Sequence, residues 1–96
     1  MHVISLKALR EFWQRRADAE LSLRAWYKIV RQGRFSNLAE LKQTFNTVDY
    51  VPVNLYVFSL GGNKYRLIAA IHFNAQRVYI RHVLTHQEYD RGDWKP

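Results

Sequence analysis

Apolar residues recur along this chain with two different periods, and the change comes near its middle. In the first half they fall three and four apart, at Leu6, Leu9, Phe12 and Trp13, then at Leu23, Trp26, Tyr27 and Val30. That spacing keeps one stripe of a helix apolar and predicts helices from Lys7 to about Arg16 and from Ala19 to about Gln32. Asp18 is placed to cap the second helix and Gly33 to stop it. Glu20 stands one helical turn before Arg24, the spacing of an ion pair on the helix surface. Asn37 and Glu40 have capping-box spacing, and with Leu38, Leu41 and Phe45 they predict a short third helix.

The second half alternates with period two. Leu55 to Leu60 reads as a strand, Gly61-Gly62-Asn63 as a hairpin turn, and Lys64 to Phe73 as a second strand. Asn74-Ala75-Gln76 turns the chain into a third strand, Arg77 to Leu84. Asp49 to Pro52 reads as a loop, and the short apolar segment His2 to Ser5 fits a first strand. Thr85 and Glu88 repeat the capping-box spacing and predict a short terminal helical turn. The expected architecture is α+β. It has a small antiparallel sheet, an N-terminal strand plus a three-strand meander, with the N-terminal helices packed on one face.

Alternation also sorts side chains by face. Tyr65, Leu67, Ala69, Ile71 and Phe73 share one side of the middle strand and should meet the helices. Lys64, Arg66, Ile68, Ala70 and His72 share the other. On the last strand Arg77, Tyr79, Arg81 and Val83 alternate with Val78, Ile80, His82 and Leu84. Strict alternation puts Arg81 with Arg66 and sends His82 towards the core or a sheet edge. The solvent face thus collects Lys64, Arg66, His72, Arg77, Tyr79 and Arg81, with His86 and Tyr89 arriving from the capped turn.

Charge gives that face a meaning. The 96 residues, expected to form one domain, carry fifteen Lys/Arg against eight Asp/Glu, a net charge of +7. From Tyr50 through Gln87 there is no acidic residue at all. Such an excess favours polyanions, either nucleic acid or an acidic protein. Cations beside aromatics suit single-stranded RNA, which offers phosphates and unstacked bases. Arg24, Lys28 and Arg31 read most simply as a solvated helix face, and Trp94 as a residue packing back on the core. No cysteine is present, and no apolar run is long enough to span a bilayer. A cytoplasmic protein without membrane contact is expected.

Subtraction narrows the chemistry. A two-metal nuclease or a glycosidase needs clustered carboxylates, and this sheet region has none. No nucleophile-elbow motif is present. The spacing of His82 and His86 suits a metal, but a strand-to-helix junction aims the two rings apart, so neither metal nor cofactor is expected. Metal-free phosphoryl transfer in RNA remains, with arginines on the phosphorane and histidine as acid or base. His86 is the first candidate, assisted by Tyr89 or Lys64. The residues alone leave open two alternatives: a non-catalytic RNA-binding domain, and an interaction module for an acidic protein.

The string GGNKYRLIAAIHF followed by QRVYIRHVLTHQEYD closely resembles the HigB group within the RelE toxin superfamily, and the opening MHVISLKAL is similar to that group as well. The resemblance implies a RelE-like fold and a ribosome-dependent mRNA endonuclease that enters the A site and cuts translated messenger. It further implies a helix-turn-helix antitoxin of the HigA kind, with operator DNA bound only through the toxin–antitoxin complex. Arg66 in KYRL matches the family's arginine on the scissile phosphate. His86 in THQEYD falls where relatives place a catalytic His or Arg, and Tyr89 and Asp90 fit the end of that motif. Arg81 is a further phosphate contact by the same resemblance. The chain departs from the resemblance at one point: RelE carries two functional lysines on the preceding strand, and their places read here as Val57 and Ser59, so either Lys64 supplies the missing charge or the mechanism leans more on His86.

Overall fold

The change of period marks the boundary between two layers, helices in front and a sheet behind. The structure, a computed structural model, describes residues 1–95. The elements run β1 (His2–Ile4), α1 (Leu6–Arg15), a 3₁₀ turn (Ala17–Ala19), α2 (Glu20–Gln32), α3 (Leu38–Thr44), β2 (Asp49–Val51), β3 (Leu55–Leu60), β4 (Tyr65–His72), β5 (Arg77–Thr85) and α4 (His86–Arg91). The fold is α+β, as the patterning predicts.

The sheet has five strands in the order β1-β5-β4-β3-β2. Two features depart from the expected four-strand antiparallel sheet. β1 pairs with β5 in parallel, His2 opposite Arg77, and the chain between them, helices and three strands, is long enough for the crossover a parallel pair needs. Asp49–Val51, read as a loop, pairs with β3. Its Asp and the following Pro52 look like turn residues, yet both suit a short edge strand.

Leu67, Ala69 and Ile71 of β4 are fully buried with Phe12, Leu23, Trp26 and Val30 from the helices. Phe58 of β3 sits in the middle, edge-on to Trp26 at 5.3 Å and to Phe45 at 5.1 Å between centroids. Each fully buried apolar side chain of this kind contributes about 1.5–3 kcal/mol. The Glu20–Arg24 pair forms at 2.6 Å, and Asn37 caps α3 by accepting from the Glu40 amide. Asp18 does not cap α2; the N-cap is Ala19, which has no capping side chain. Asp18 instead accepts the Tyr65 hydroxyl at 2.5 Å, a partner 47 residues away, and Lys64 at 3.4 Å. Those two donors hold its carboxyl below the ordinary range, and the hydrogen bond to Asp18 in turn holds the Tyr65 hydroxyl above its own.

The β4–β5 ladder contains a bulge. Ile68 faces His82 while Ala69 faces Ile80, so Arg81 is an extra residue on β5. Beyond it the alternation shifts by one. His82 therefore lies opposite Ile68 on the face of Arg66, not towards the core, while Val83 packs inward with Leu67.

Candidate active site

Arg66 lies on the sheet face away from α1 and α2, opposite Ser59 on one side and Leu84 on the other. It is 8% exposed, the one buried charged residue among those described. Nη1 donates to the carbonyls of Asn63 and Tyr65, both at 3.1 Å. The guanidinium carbon stands 5.3 Å from the centroid of the Tyr89 ring. Tyr89 is in turn stacked on Trp94 at 5.1 Å and 10°, and the Trp94 indole N–H donates to the Tyr89 carbonyl at 2.9 Å. Trp94 packs on Val57 and Ile68, a second apolar cluster on this face. A face expected to be wet throughout is therefore dry around Arg66.

A buried guanidinium is costly unless its donors and its charge are met. Here two carbonyls and an aromatic face meet part of the need. Among the described residues, Nε and Nη2 find no acceptor and no carboxylate forms an ion pair with it. The arrangement holds a planar fork rigidly with donors to spare, which suits a phosphate.

α4 delivers the histidine. Thr85 caps the helix and Glu88 returns the bond, with the Glu88 amide 3.2 Å from the Thr85 hydroxyl and the Thr85 amide 2.9 Å from the Glu88 carboxylate. The donated Thr85 amide holds the Glu88 carboxyl below its usual range. Gly92, at φ 77, ends the helix in the left-handed conformation that favours glycine. The His86 amide also donates to the Lys64 carbonyl at 2.9 Å, tying the first turn of α4 to the end of β4. The half-exposed His86 ring presents Nδ1 to Asp90 at 2.8 Å, one turn on. A proton on Nδ1 leaves Nε2 with its lone pair directed away from Asp90.

The structure brings Arg66 and Tyr89 together, and Asp90, at the end of the motif where the resemblance implies a tyrosine and sometimes a functional acid, is the partner of His86. Lys64 stands apart: its exposed ammonium reaches towards the helix layer, to Asp18. The remaining candidates lie further along the same face. The Arg81 guanidinium carbon is 6.0 Å from the Tyr79 ring centroid, His72 meets Tyr79 edge-on at 5.4 Å, and Arg77 is opposite His72. His72 is six positions along β4 from Arg66, roughly 20 Å at about 3.3 Å per residue. Val57 is buried beneath Trp94, and Ser59 faces Arg66. His82 was missed by alternation alone, because nothing in RHVL announces a bulge.

A short cationic sheet face roofed by a capped helix, with an arginine whose charge no carboxylate meets among the described residues, defines an anion-handling α+β protein. Residues 19–92 match the HigB toxin family, the RelE-like toxic component of a toxin-antitoxin system, and the chain belongs to that family. Over 93 residues it is 37% identical to the mRNA interferase toxin HigB of Escherichia coli strain K12, covering 94% of this chain and 88% of that protein. The mRNA interferase HigB of Shigella flexneri is similar to the same extent. That of Escherichia coli O6:H1 strain CFT073 is 31% identical over 93 residues, 95% of this chain and 90% of the relative. Membership implies an antitoxin as partner. No helix of the described residues is long and apolar enough to cross a membrane.

Proposed function

We propose that this chain is an mRNA interferase that cleaves translated messenger in the ribosomal A site, and that an antitoxin of the HigA kind, a helix-turn-helix protein, silences it. Operator DNA is reached only through that complex, and the site of action is the cytoplasm. The observation that carries the reading is Arg66, a largely buried side chain beside α4 whose Nε and Nη2 have no protein acceptor and whose charge meets no carboxylate among the described residues.

The reaction needs no cofactor. The 2′-oxygen of the messenger forms a bond to its adjacent phosphorus, and the bond from phosphorus to the 5′-oxygen breaks, leaving a 2′,3′-cyclic phosphate and a 5′-hydroxyl. His86 Nε2 takes the 2′-hydroxyl proton, while Asp90 holds the ring in the required tautomer and stabilises the imidazolium that forms. The free donors of Arg66 meet the phosphorane oxygens, whose charge grows in the transition state. Tyr89, stacked between Arg66 and Trp94, offers its hydroxyl to the leaving 5′-oxygen. Lys64 adds charge at the rim once a phosphate draws it from Asp18. Arg81, Tyr79, His72 and Arg77 carry the neighbouring nucleotides, two by phosphate contact and two by stacking on bases.

The test is induced expression in a bacterial host, with primer extension on an abundant messenger, for wild type and His86→Ala. Cuts within translated codons by the wild type, reduced about 10²-fold or more in the variant, are expected. Cuts that persist in the variant would move the proton transfer away from His86. A soluble wild type that binds RNA and never cuts would make the protein a binding module.

A further inference from the structure

One more cavity opens on this face, beside the arginine and outside the roles assigned above. It holds about 160 Å³ and is lined by His82, Leu84, Glu88, Arg91, Asp93 and Trp94. The bulge at Arg81 is what turns His82 into it, since unbroken alternation would point that ring to the other side of the sheet. Leu84 lies opposite Arg66 in the ladder, and Trp94 stacks on the Tyr89 ring that Arg66 covers. The cavity therefore shares two walls with the active site.

Its chemistry differs from that of the arginine. Leu84 and the Trp94 indole make an apolar lining, while His82, Arg91 and Asp93 are exposed at the rim. Among the described residues, none of those three enters an ion pair. Glu88 is partly spent on the Thr85 amide. Carboxylates at the rim repel a phosphate, so the cavity is not a second phosphate seat. Apolar walls with an imidazole, a guanidinium and a carboxylate match a nucleobase, whose faces want apolar contact and whose edges carry donors and acceptors. Guanine matches the set by donor and acceptor type. Its O6 and N7 accept from Arg91 or His82, and its N1–H and N2–H₂ donate together to the two oxygens of one carboxylate, Asp93. Adenine, cytosine and uracil lack that paired donor edge.

We propose that this cavity is a guanine-selecting subsite for a nucleotide adjoining the scissile phosphate. That the base belongs to a messenger rests on the interferase reading; the preference for guanine does not. Asp93 is exposed, so Asp93→Asn removes the guanine-reading charge without disturbing the core.

Two experiments separate the parts. In the first, GMP, AMP, CMP and UMP are titrated into the isolated protein while the Trp94 indole and His82 resonances are followed by NMR. Saturable shifts with GMP at least about tenfold tighter than with the other three, a preference lost in Asp93→Asn and weakened in His82→Ala, are expected from the discrimination one good bidentate contact supplies. Equal response to all four nucleotides, or a preference that survives Asp93→Asn, overturns the subsite. In the second, 5′ ends of cut messengers are mapped genome-wide. Guanine enriched at one fixed offset from the cut in wild type, and not in a still-active Asp93→Asn, supports the proposal. Cuts with no base enrichment overturn the subsite and leave the interferase standing. Selective GMP binding without any cutting supports the pocket and removes the interferase reading.

Discussion

The two faces of β4 make an instructive pair. On the helix side, Tyr65, Leu67, Ala69 and Ile71 sit in an apolar and aromatic cluster, where the Tyr65 hydroxyl is bound to Asp18 and the buried Trp26 indole N–H has no partner among the described residues. On the other side Arg66, Ile68, Ala70 and His72 run from a roofed end to an open one. One face is uniform and stabilises the molecule; the other is graded, dry around Arg66 and wet around His72. The dry end costs stability to bury a cation, and in return fixes that cation's fork in place. The wet end orders little and stays free for a flexible ligand.

That contrast can be tested most strongly at Arg66. Arg66→Ala should reduce the cleavage rate in a translating extract by about 10²–10³, the usual loss when a donor to developing charge is removed. Arg66→Lys should recover only part of it, because an ammonium keeps the charge and loses the fork. A loss under about tenfold for Arg66→Ala would mean that the roofed end is structural.

Next comes a pair of leucines on opposite faces, Leu67 and Leu84. Leu67→Ala, fully buried under the helices, should cost about 2–5 kcal/mol in urea unfolding. Leu84→Ala, half-buried under α4, should cost less than half as much in the same measurement and slow cleavage more than its effect on stability explains. Equal unfolding penalties would erase the distinction between faces.

The smallest effect concerns the bond that joins the layers. Asp18 has its carboxyl pKa lowered in the folded state by Tyr65 first and Lys64 next. Its stabilisation is therefore present above the ordinary carboxylate range and is lost as pH falls through the lowered folded value. Unfolding followed from neutral pH down to about pH 2 should show a gentler acid decline in Asp18→Asn than in wild type. Parallel curves would show that the Asp18–Tyr65 bond does not survive in solution.

Local pattern was enough wherever local chemistry decides the structure. The helix stripe Leu23, Trp26 and Val30, the turn Gly61-Gly62-Asn63 and the Thr85/Glu88 box each lie within one or two turns of chain, and each forms as the spacing predicts. What the pattern could not carry involves partners far apart. Asp18 looks like a cap until Tyr65 competes for it, and Asp49-Tyr50-Val51 looks like a turn until β3 offers it hydrogen bonds. For the candidate site, Arg66 and Tyr89 stand out as residue types, but the Trp94 ring that backs Tyr89 reaches it only because the tail folds back. His82 depended on the bulge, for which the sequence has no marker.

The bulge has one more consequence, in the history of the chain. Its extra residue sits between two stretches that are each in perfect register, Ile68 with His82 and Ala69 with Ile80. Removing Arg81 would rejoin those stretches without altering a single pairing on either side. Most single-residue changes in strand length would swap the two faces of everything that follows; here one residue can be gained or lost and every neighbour keeps its place. A lineage can therefore acquire a cation at this point, and a local bend with it, without rebuilding the sheet.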